Sequence, residues 1–128
     1  MSESTYLLIC DFNSGNLAAF LRNDGAAPAL EVREAPYDQV LPILTETDHP
    51  CWADGSQGVV VWTRPEGVSP TFAAILRGEA AEIGELEREV DRYAALLAAA
   101  GSRVRLLCAP TWVVPTHQRG LGMADYKP

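Results

Sequence analysis

The chain has 128 residues, of which 48% are hydrophobic, and a formal net charge of −7 at neutral pH. This length and this apolar fraction suit one globular domain spanning residues 1–128, and they exclude a disordered chain. The negative charge disfavours nucleic acids and anionic membrane surfaces as partners. No apolar run is long enough to span a bilayer, and the first four residues lack the features of a signal peptide. We therefore expect a cytoplasmic protein without membrane association.

The first apolar run predicts a buried strand over residues 5–10, followed by a helix over residues 14–23. Either Ser14 or Asn13 can cap this helix, because a short side-chain oxygen can accept from the free amides of the first turn. Three apolar side chains recur at helical spacing and predict the buried stripe of the helix, namely Leu17, Phe20 and Leu21.

The next elements predicted are a second strand over residues 28–33 and a second helix that opens near residue 35. In the strand, Leu30 and Val32 alternate with charged residues, which indicates a half-solvated strand at the edge of a sheet. Pro42 lies inside the second helix and should either bend it or confine it to a turn or two.

The second half of the chain predicts a central strand over residues 59–61, a short helix around residues 72–76, a long helix over residues 80–100 and a last strand over residues 103–108. The long helix carries an apolar stripe at steps of three and four, formed by Ile83, Leu86, Val90, Tyr93 and Leu97. Its acidic residues, Glu89 among them, predict a solvated face, on which Glu85 can pair with Arg88 and Glu89 with Arg92.

The order of these elements predicts the fold class. Strands and helices alternate, and the apolar runs lack the polar alternation of strands that face water on one side. This pattern favours a three-layer α/β domain, in which an open parallel sheet of four strands lies between helices. Right-handed crossovers suggest the strand order 2-1-3-4, the flavodoxin-like arrangement. Ligands bind such sheets just beyond the carboxyl ends of the strands, so we expect any site in the polar turns that follow them.

The three cysteines do not form a disulfide framework of the secreted type. Cys10 and Cys108 end predicted strands and are expected to be small buried core residues, with a catalytic thiol as the less favoured alternative. Cys51 falls in a polar loop, where we expect partial exposure. No pair of residues has zinc-ligand spacing, so no metal site is predicted.

Three stretches resemble the N-terminal domain of FkbH-like proteins. They are LLICDFNSGNLAAFLRND, VVVWTRPEGVSPTF and APTWVVPTHQRGLGMADYKP. In that family, a domain of the SGNH/GDSL hydrolase fold precedes a haloacid-dehalogenase-like (HAD-like) domain. The resemblance implies a role in loading a glyceryl-type or related acyl unit onto an acyl carrier protein in polyketide-type biosynthesis. The implied partners are that carrier protein or a HAD-like catalytic domain, and no cofactor is expected.

The chain also departs from the family pattern. The acidic phosphate-handling motif of a HAD-like domain is absent from the sequence. By the resemblance, the chain should continue past Pro128, so that the SGNH-like sheet is truncated before its last strand. The position that matches the family's nucleophile is Asn13, with Ser14 one step on. After the third strand, the segment from Thr63 to Glu66 replaces the usual glycine and asparagine.

The catalytic candidates are Ser14, Asp11 and His117. Ser14 is either a nucleophile, which needs a base within hydrogen-bond reach, or the favoured alternative, a helix cap. Asp11 either accepts from turn amides or orients His117, if the last loop folds over the first. His117 lies in the loop after the last strand, where binding residues concentrate but where an exposed polar loop is the plainer interpretation.

The binding candidates lie in the same turns. The start of the first helix, with Asn13, Gly15 and Asn16, could hold an anion at its free amides. Arg64, next to Thr63, either pairs with Glu66 or Asp11 or grips a carboxylate or phosphate of a ligand. Two further candidates come from the last segment, where Trp112 could instead simply cover the end of the sheet and Arg119 could be part of an exposed loop.

Three functions follow as hypotheses. The first is an SGNH-like, non-hydrolytic domain of an FkbH-like protein that binds a carrier protein or catalytic partner. The second is an active SGNH/GDSL esterase, with a histidine supplied by residues beyond this chain. The third is a protein-interaction module without chemistry of its own.

Overall fold

Four strands and five helices make up the part of the chain that the computed structural model describes, residues 4–23, 30–53, 55 and 57–113. In chain order, the elements are β1 (Ser4–Cys10), α1 (Gly15–Arg22), β2 (Leu30–Glu34), α2 (Val40–Thr45), a 3-10 turn (Pro50–Trp52), β3 (Gly58–Trp62), α3 (Pro65–Val68), α4 (Pro70–Leu76), α5 (Ile83–Gly101) and β4 (Leu106–Cys108). The predicted alternation of strands and helices is therefore present.

The four strands form one parallel sheet with the order β2-β1-β3-β4. Tyr6 of β1 lies opposite Val32 on one side and Gly58 on the other, while Val60 of β3 lies opposite Cys108. The predicted α/β fold and the order 2-1-3-4 are thus confirmed. β1 and β3 take the two central positions because their continuous apolar runs can be buried on both faces of the sheet.

One face of the sheet, which we call the covered face, packs against α2 and α5. It carries alternate side chains of the two central strands, Leu7 and Ile9 from β1 and Val59 and Val61 from β3, all nearly inaccessible to solvent. Ile43 of α2 is also fully buried against them. Each such side chain contributes about 1.5–3 kcal/mol through removal of apolar surface from water, so this layer is the main source of stability.

The opposite face, which we call the half-open face, is covered by α1 alone among the described helices. Ala18 of α1 packs with Leu8, Cys10 and Val32 in a second, smaller core cluster over β1 and β2. Over β3 and β4 the same face is exposed: Trp62 keeps 40% and Leu106 keeps 50% of its surface accessible. The described part of the chain therefore leaves an apolar half-face without a helix.

The predicted buried stripe of α1 was wrong for Phe20, which is 74% exposed. The fully buried residue is Ala18, and Leu17 and Leu21 are half-buried against the sheet. Phe20 follows Ala18 by two positions, about 200° around the helix, so it faces away from the sheet. A helix at one side of a sheet buries a narrower strip than the sequence pattern suggests.

The short α2 agrees with the expected effect of Pro42. The helix has six residues and begins at Val40, so Pro42 lies in the first turn, where its missing N–H has no helical partner to lose. The chain from residue 35 to 39 is not helical, in contrast to the predicted helix start. Asp38 has a φ of 57° in this stretch, a backbone conformation that helices do not contain.

The long helix α5 begins at Ile83, three residues later than predicted, and ends at Gly101. Tyr93 is its buried centre, whereas Ile83 at its start is 59% exposed. The predicted pair of Glu85 and Arg88 is present, with 2.8 Å between carboxylate and guanidinium.

Glu89 differs from its predicted place on a solvated face. Its carboxylate accepts hydrogen bonds from Ser69 Oγ at 3.1 Å and from the backbone N–H of Thr71 at 2.9 Å, at the start of α4. Ser69 Oγ in turn accepts from the N–H of Phe72 and caps α4. Glu89 thus links α5 to α4 rather than to the next turn of its own helix.

The cysteines divide between core and surface. Cys10 is buried, as predicted, on the half-open face beneath α1. Cys51 was expected to be partly exposed but is buried in the 3-10 turn, and Cys108 was expected to be buried but is exposed. Cys108 points to the half-open face at the edge of the sheet, where no described helix lies above it.

Candidate functional site

The carboxyl ends of the four parallel strands form one rim of the sheet, and most of the candidate residues lie along it. Asp11 and Ser14 follow β1, Thr63 and Arg64 follow β3, and Trp112 follows β4. The structure places these side chains in two neighbouring groups. One group lies between β1 and β3, and the other lies between β1 and β2.

The first group is centred on the buried carboxylate of Asp11, which is 2% exposed. Its Oδ2 atom accepts from the backbone N–H of Arg64 at 2.8 Å, and its Oδ1 atom lies 3.5 Å from Arg64 Nε. Glu66 Oε1 lies 3.9 Å from the same Nε atom. The guanidinium charge is therefore balanced by two carboxylates of the protein itself. This geometry favours the pairing interpretation of Arg64, and its role as a ligand contact stays a prediction.

Gly67 allows this arrangement and was missed by the sequence reasoning. A β-carbon at this position would overlap the Oδ2 and carboxyl carbon atoms of Asp11. Any larger residue would therefore push the carboxylate away from the N–H of Arg64. The only signal in the sequence is a glycine two residues after the Arg64-Pro65 turn, which is not specific to a close contact of this kind.

Behind the ion pair, Thr63, Tyr93 and Trp112 form a hydrogen-bonded cluster. Thr63 Oγ1 lies 2.9 Å from the Tyr93 hydroxyl and accepts from Trp112 Nε1 at 2.9 Å. The two aromatic rings stack with centroids 5.4 Å apart and planes 13° apart. Burial raises the pKa of the Tyr93 phenol, although the hydrogen bond with Thr63 opposes the shift. The cluster fastens the segment after β4 to α5, so Thr63 and Trp112 have a packing role.

The second group is formed by the turn between β1 and α1. Ser14 takes the N-cap position of α1 and is 8% exposed, but its side chain accepts from no amide of the helix. Instead, Ser14 Oγ donates to Glu34 Oε1 at 2.9 Å. Asn13 Oδ1 accepts from the N–H of Gly15 at 3.0 Å. Of the two predicted caps, Asn13 is the one whose side chain satisfies an amide of the first turn.

The remaining candidates of this turn are more exposed. Gly15 is half-buried and Asn16 is exposed in the first turn of α1. Asn13 already accepts from the N–H of Gly15, and the carboxylate of Glu34 is hydrogen-bonded to the N-cap residue Ser14. The start of α1 is therefore poorly suited to an external anion.

His49 is not placed beside Ser14. His49 accepts through Nδ1 from the N–H of Cys51 at 3.1 Å, in the loop that enters β3 at its amino end. That loop is on the opposite rim from Ser14. The predicted residues His117 and Arg119 lie outside the described residues. Among the described residues, the Ser14 hydroxyl donates to the carboxylate of Glu34.

A cavity of about 410 Å³ opens over this second group. It is lined by residues from the ends of β1 and β2 and the turns after them, Cys10, Phe12, Asn13, Ser14, Glu34, Ala35 and Tyr37. Burial raises the pKa of the Cys10 thiol to about 11, so the thiol is neutral at physiological pH and unsuited to nucleophilic attack. Cys10 contributes an uncharged wall rather than a reactive group.

Glu34 is the second residue that the sequence reasoning missed, although a signal was present. Side chains two positions apart in a strand share a face, so Glu34 follows Val32 on the face that packs against α1. Glu34 is the last residue of β2, so its carboxylate lies at the carboxyl-end rim of the sheet, where ligands bind.

No protein-family model, curated protein or solved structure matches the chain. The resemblance to FkbH-like proteins and the SGNH fold assignment therefore stay predictions. None of the helices in the described part of the chain is long and apolar enough to cross a membrane. In that same part, no three His, Cys, Asp or Glu side chains are grouped so that they could hold a metal ion.

The chemistry available at the rim follows from these contacts. The group around Asp11 pairs one guanidinium with two carboxylates, and the Asp11 carboxylate accepts from the backbone N–H of Arg64. The group around Ser14 has a hydroxyl, a carboxylate and an open cavity, but no histidine among the described residues that contact it. A carboxylate that is exposed to water is a weak base for a serine hydroxyl, so the arrangement suits binding better than nucleophilic catalysis.

Proposed function

We propose that this chain is an SGNH-like, non-hydrolytic domain of an FkbH-like protein that assists acyl loading onto a carrier protein in the cytoplasm. The single observation that carries the non-hydrolytic part is the hydrogen bond from Ser14 Oγ to Glu34 Oε1 at 2.9 Å. A nucleophilic serine donates its proton to a base, which is usually a histidine. Here the hydroxyl holds a carboxylate of the neighbouring strand in place.

The half-open face supports the partner role. Trp62 and Leu106 expose apolar surface on it, next to an edge strand, β4, whose outer side pairs with no described strand. Exposed apolar surface on a folded domain can be used for protein–protein contacts, and these two side chains supply such surface along β3 and β4. In this proposal, the half-face contacts the carrier protein or the HAD-like catalytic domain, while that second domain performs the chemistry.

Hydrolysis of aryl esters tests the non-hydrolytic part. We expect the purified chain and its Ser14→Ala variant to give the same rate as buffer, and neither to be labelled by a serine-directed phosphonate. Turnover by the wild-type chain that disappears in Ser14→Ala would overturn this part and support the esterase hypothesis instead.

Calorimetric titration with a phosphopantetheinylated acyl carrier protein, and separately with a HAD-like catalytic domain, tests the partner role. We expect one of the two to bind, and Trp62→Ser to weaken that binding by about tenfold, as for an aromatic anchor in an interface. Ile83→Ser is the matched control, because Ile83 is 59% exposed at the start of α5, away from the half-open face. Equal effects of the two substitutions, or no binding of either partner, would contradict the proposal.

A protein-interaction module without a link to acyl chemistry is the second candidate, favoured by the same exposed Trp62 and Leu106. Size measurement in solution distinguishes it from the first. A dimer or larger assembly that persists in the absence of any carrier protein would favour this candidate, whereas a strictly monomeric chain without partner affinity would speak against it.

A further inference from the structure

We infer that the cavity at the carboxyl ends of β1 and β2 binds a small organic ammonium ion, with Glu34 as its counter-ion. This site lies at the rim of the half-open face, over β1 and β2, and does not depend on the carrier-protein proposal. Its ligand class follows from the charge of the cavity, the nature of its walls and the way its polar groups are already paired.

The charge of the cavity is negative. Glu34 is the single carboxylate among the described lining residues, and none of those residues is a lysine, arginine or histidine. The nearby Arg22 does not line the cavity, since its Nη2 atom donates to the carbonyl oxygen of Val32 at 2.6 Å. The net charge of −7 of the whole chain adds to the attraction for a cation.

The carboxylate is held in position by the protein. Ser14 is 8% exposed and donates its hydroxyl proton to Oε1 of Glu34, which leaves Oε2 without a described hydrogen-bond partner. A buried donor that fixes one oxygen of a carboxylate orients the other oxygen for a ligand. The serine that resembles a nucleophile in the sequence thus has a positioning role in this site.

Two aromatic rings provide walls for the cavity. Phe12 and Tyr37 both line it, from the turns that follow β1 and β2. Phe12 is supported from behind by an edge-to-face contact with Trp62, at 5.7 Å between centroids and 89° between planes. The face of an aromatic ring attracts an ammonium group within about 6 Å of its centroid, and a nearby carboxylate strengthens this preference.

Other ligand classes fit less well. An anion would meet the carboxylate of Glu34, and the first amide of α1 is already taken by Asn13. A metal ion needs several oxygen, nitrogen or sulfur ligands, and the described residues around the cavity do not form such a group. A ligand with a spread-out positive charge and apolar substituents matches both the carboxylate and the rings.

Choline chloride and dimethylbutanol, in which a carbon atom replaces the nitrogen, provide the test. The two molecules have the same shape, but only choline is charged. We expect millimolar choline to cause saturable amide chemical-shift changes at Ser14 and Gly15, with sodium chloride at the same concentration as the reference. The neutral alcohol should bind about tenfold more weakly.

Substitutions test whether Glu34 and Tyr37 contribute to choline binding. Glu34→Gln keeps an acceptor for Ser14 but removes the charge, and it should weaken choline binding by about tenfold. Glu31→Gln is the matched control, because Glu31 is exposed on the same strand but on the opposite face. Tyr37→Leu should weaken choline binding by about threefold and leave binding of the alcohol unchanged.

Equal affinity for choline and dimethylbutanol, equal effects of Glu34→Gln and Glu31→Gln, or the absence of saturable shifts would each overturn the inference. A thermal melt of every variant checks folding. If Glu34→Gln does not fold, the comparison of the two isosteric ligands on the wild-type chain and on Tyr37→Leu still decides between the outcomes.

Discussion

The covered face and the half-open face of the same sheet differ in how much helix lies over them. Leu107 of β4 packs against the core of the covered face, whereas its neighbour Leu106 is 50% exposed on the half-open face. The cause is the strand order. The chain crosses the sheet in one direction from β1 to β2 and in the other direction for both later crossovers, so right-handed connections put α1 alone on one face.

Stability and binding capacity lie on different faces of this domain. The covered face concentrates fully buried aliphatic side chains and the connections among α2, α4 and α5. The half-open face, together with the rim at its end, carries exposed aromatic surface, an edge strand and the cavity over Ser14. Substitutions on the two faces should therefore have different consequences.

The largest effect is expected from Ile43→Ala on the covered face. Ile43 is fully buried, so the substitution removes buried apolar surface and leaves a cavity. We expect the free energy of unfolding to fall by about 2–5 kcal/mol, measured by urea denaturation. A loss below about 1 kcal/mol would mean that the covered face is not the tightly packed layer described here.

The next largest loss of stability is expected in the hydrogen-bonded cluster of Thr63, Tyr93 and Trp112. Thr63→Val should leave the Trp112 indole N–H and the Tyr93 hydroxyl without their buried partner, at a cost of about 1–3 kcal/mol. The near-ultraviolet circular dichroism of Trp112 should weaken at the same time. Thr63→Ser keeps the hydroxyl and is the control; a loss as large in Thr63→Ser as in Thr63→Val would contradict the role of the hydrogen bonds.

The stability that Glu89 contributes by joining α5 to α4 should depend on pH. Burial raises the pKa of Glu89, but the hydrogen bonds from Thr71 and Ser69 outweigh burial and hold the pKa below its ordinary value of 4.5. A carboxyl group with a lowered pKa in the folded state contributes stability above its unfolded pKa, and that contribution is lost as the pH falls through the folded pKa.

We therefore expect the difference in stability between the wild-type chain and Glu89→Gln to shrink as the pH is lowered from neutral to below 4.5. Urea denaturation at a series of pH values measures it. Glu87→Gln, on the exposed side of the same helix, is the control. A difference that stays constant over this range would show that the charge of Glu89 does not stabilise the junction.

The smallest effects on stability are expected from two substitutions in β4, one on each face of the sheet. Leu106→Ala should change the free energy of unfolding by no more than about 0.5 kcal/mol, because Leu106 is half exposed on the half-open face. Leu107→Ala, on the covered face, should cost about 1–2 kcal/mol. A costly Leu106→Ala would indicate that something covers the half-open face in solution, and a size measurement on both variants would identify self-association.

Much of the fold was predictable because it depends on local patterns. The apolar runs before Asp11 and Thr63 predicted the two central strands, and their lack of polar alternation predicted a parallel sheet. Pro42 predicted a short second helix, and the spacing of Glu85 and Arg88 predicted their ion pair. Each of these features involves neighbours within a few residues or a property averaged along one segment.

The site was less predictable because its contacts join distant segments. The placement of Asp11 and Arg64 at one rim followed from the expected parallel strands, and their ion pair was one of the two interpretations of Arg64. The hydrogen bond from the backbone N–H of Arg64 to Asp11 was not predicted. The partner of Ser14 is Glu34, and Gly67 matters only because Asp11 packs against it.

Local hydrophobic pattern and chain connectivity were enough to predict the four strands, their parallel order and their shared rim, together with α1, α4 and α5. They did not predict α3 or the start of α2. The exposure of Phe20 and Cys108 and the burial of Cys51 depend on tertiary packing. Tertiary packing also decided that Glu89 joins two helices. Burial and hydrogen bonding are set by what packs opposite a side chain, and those partners come from far along the chain.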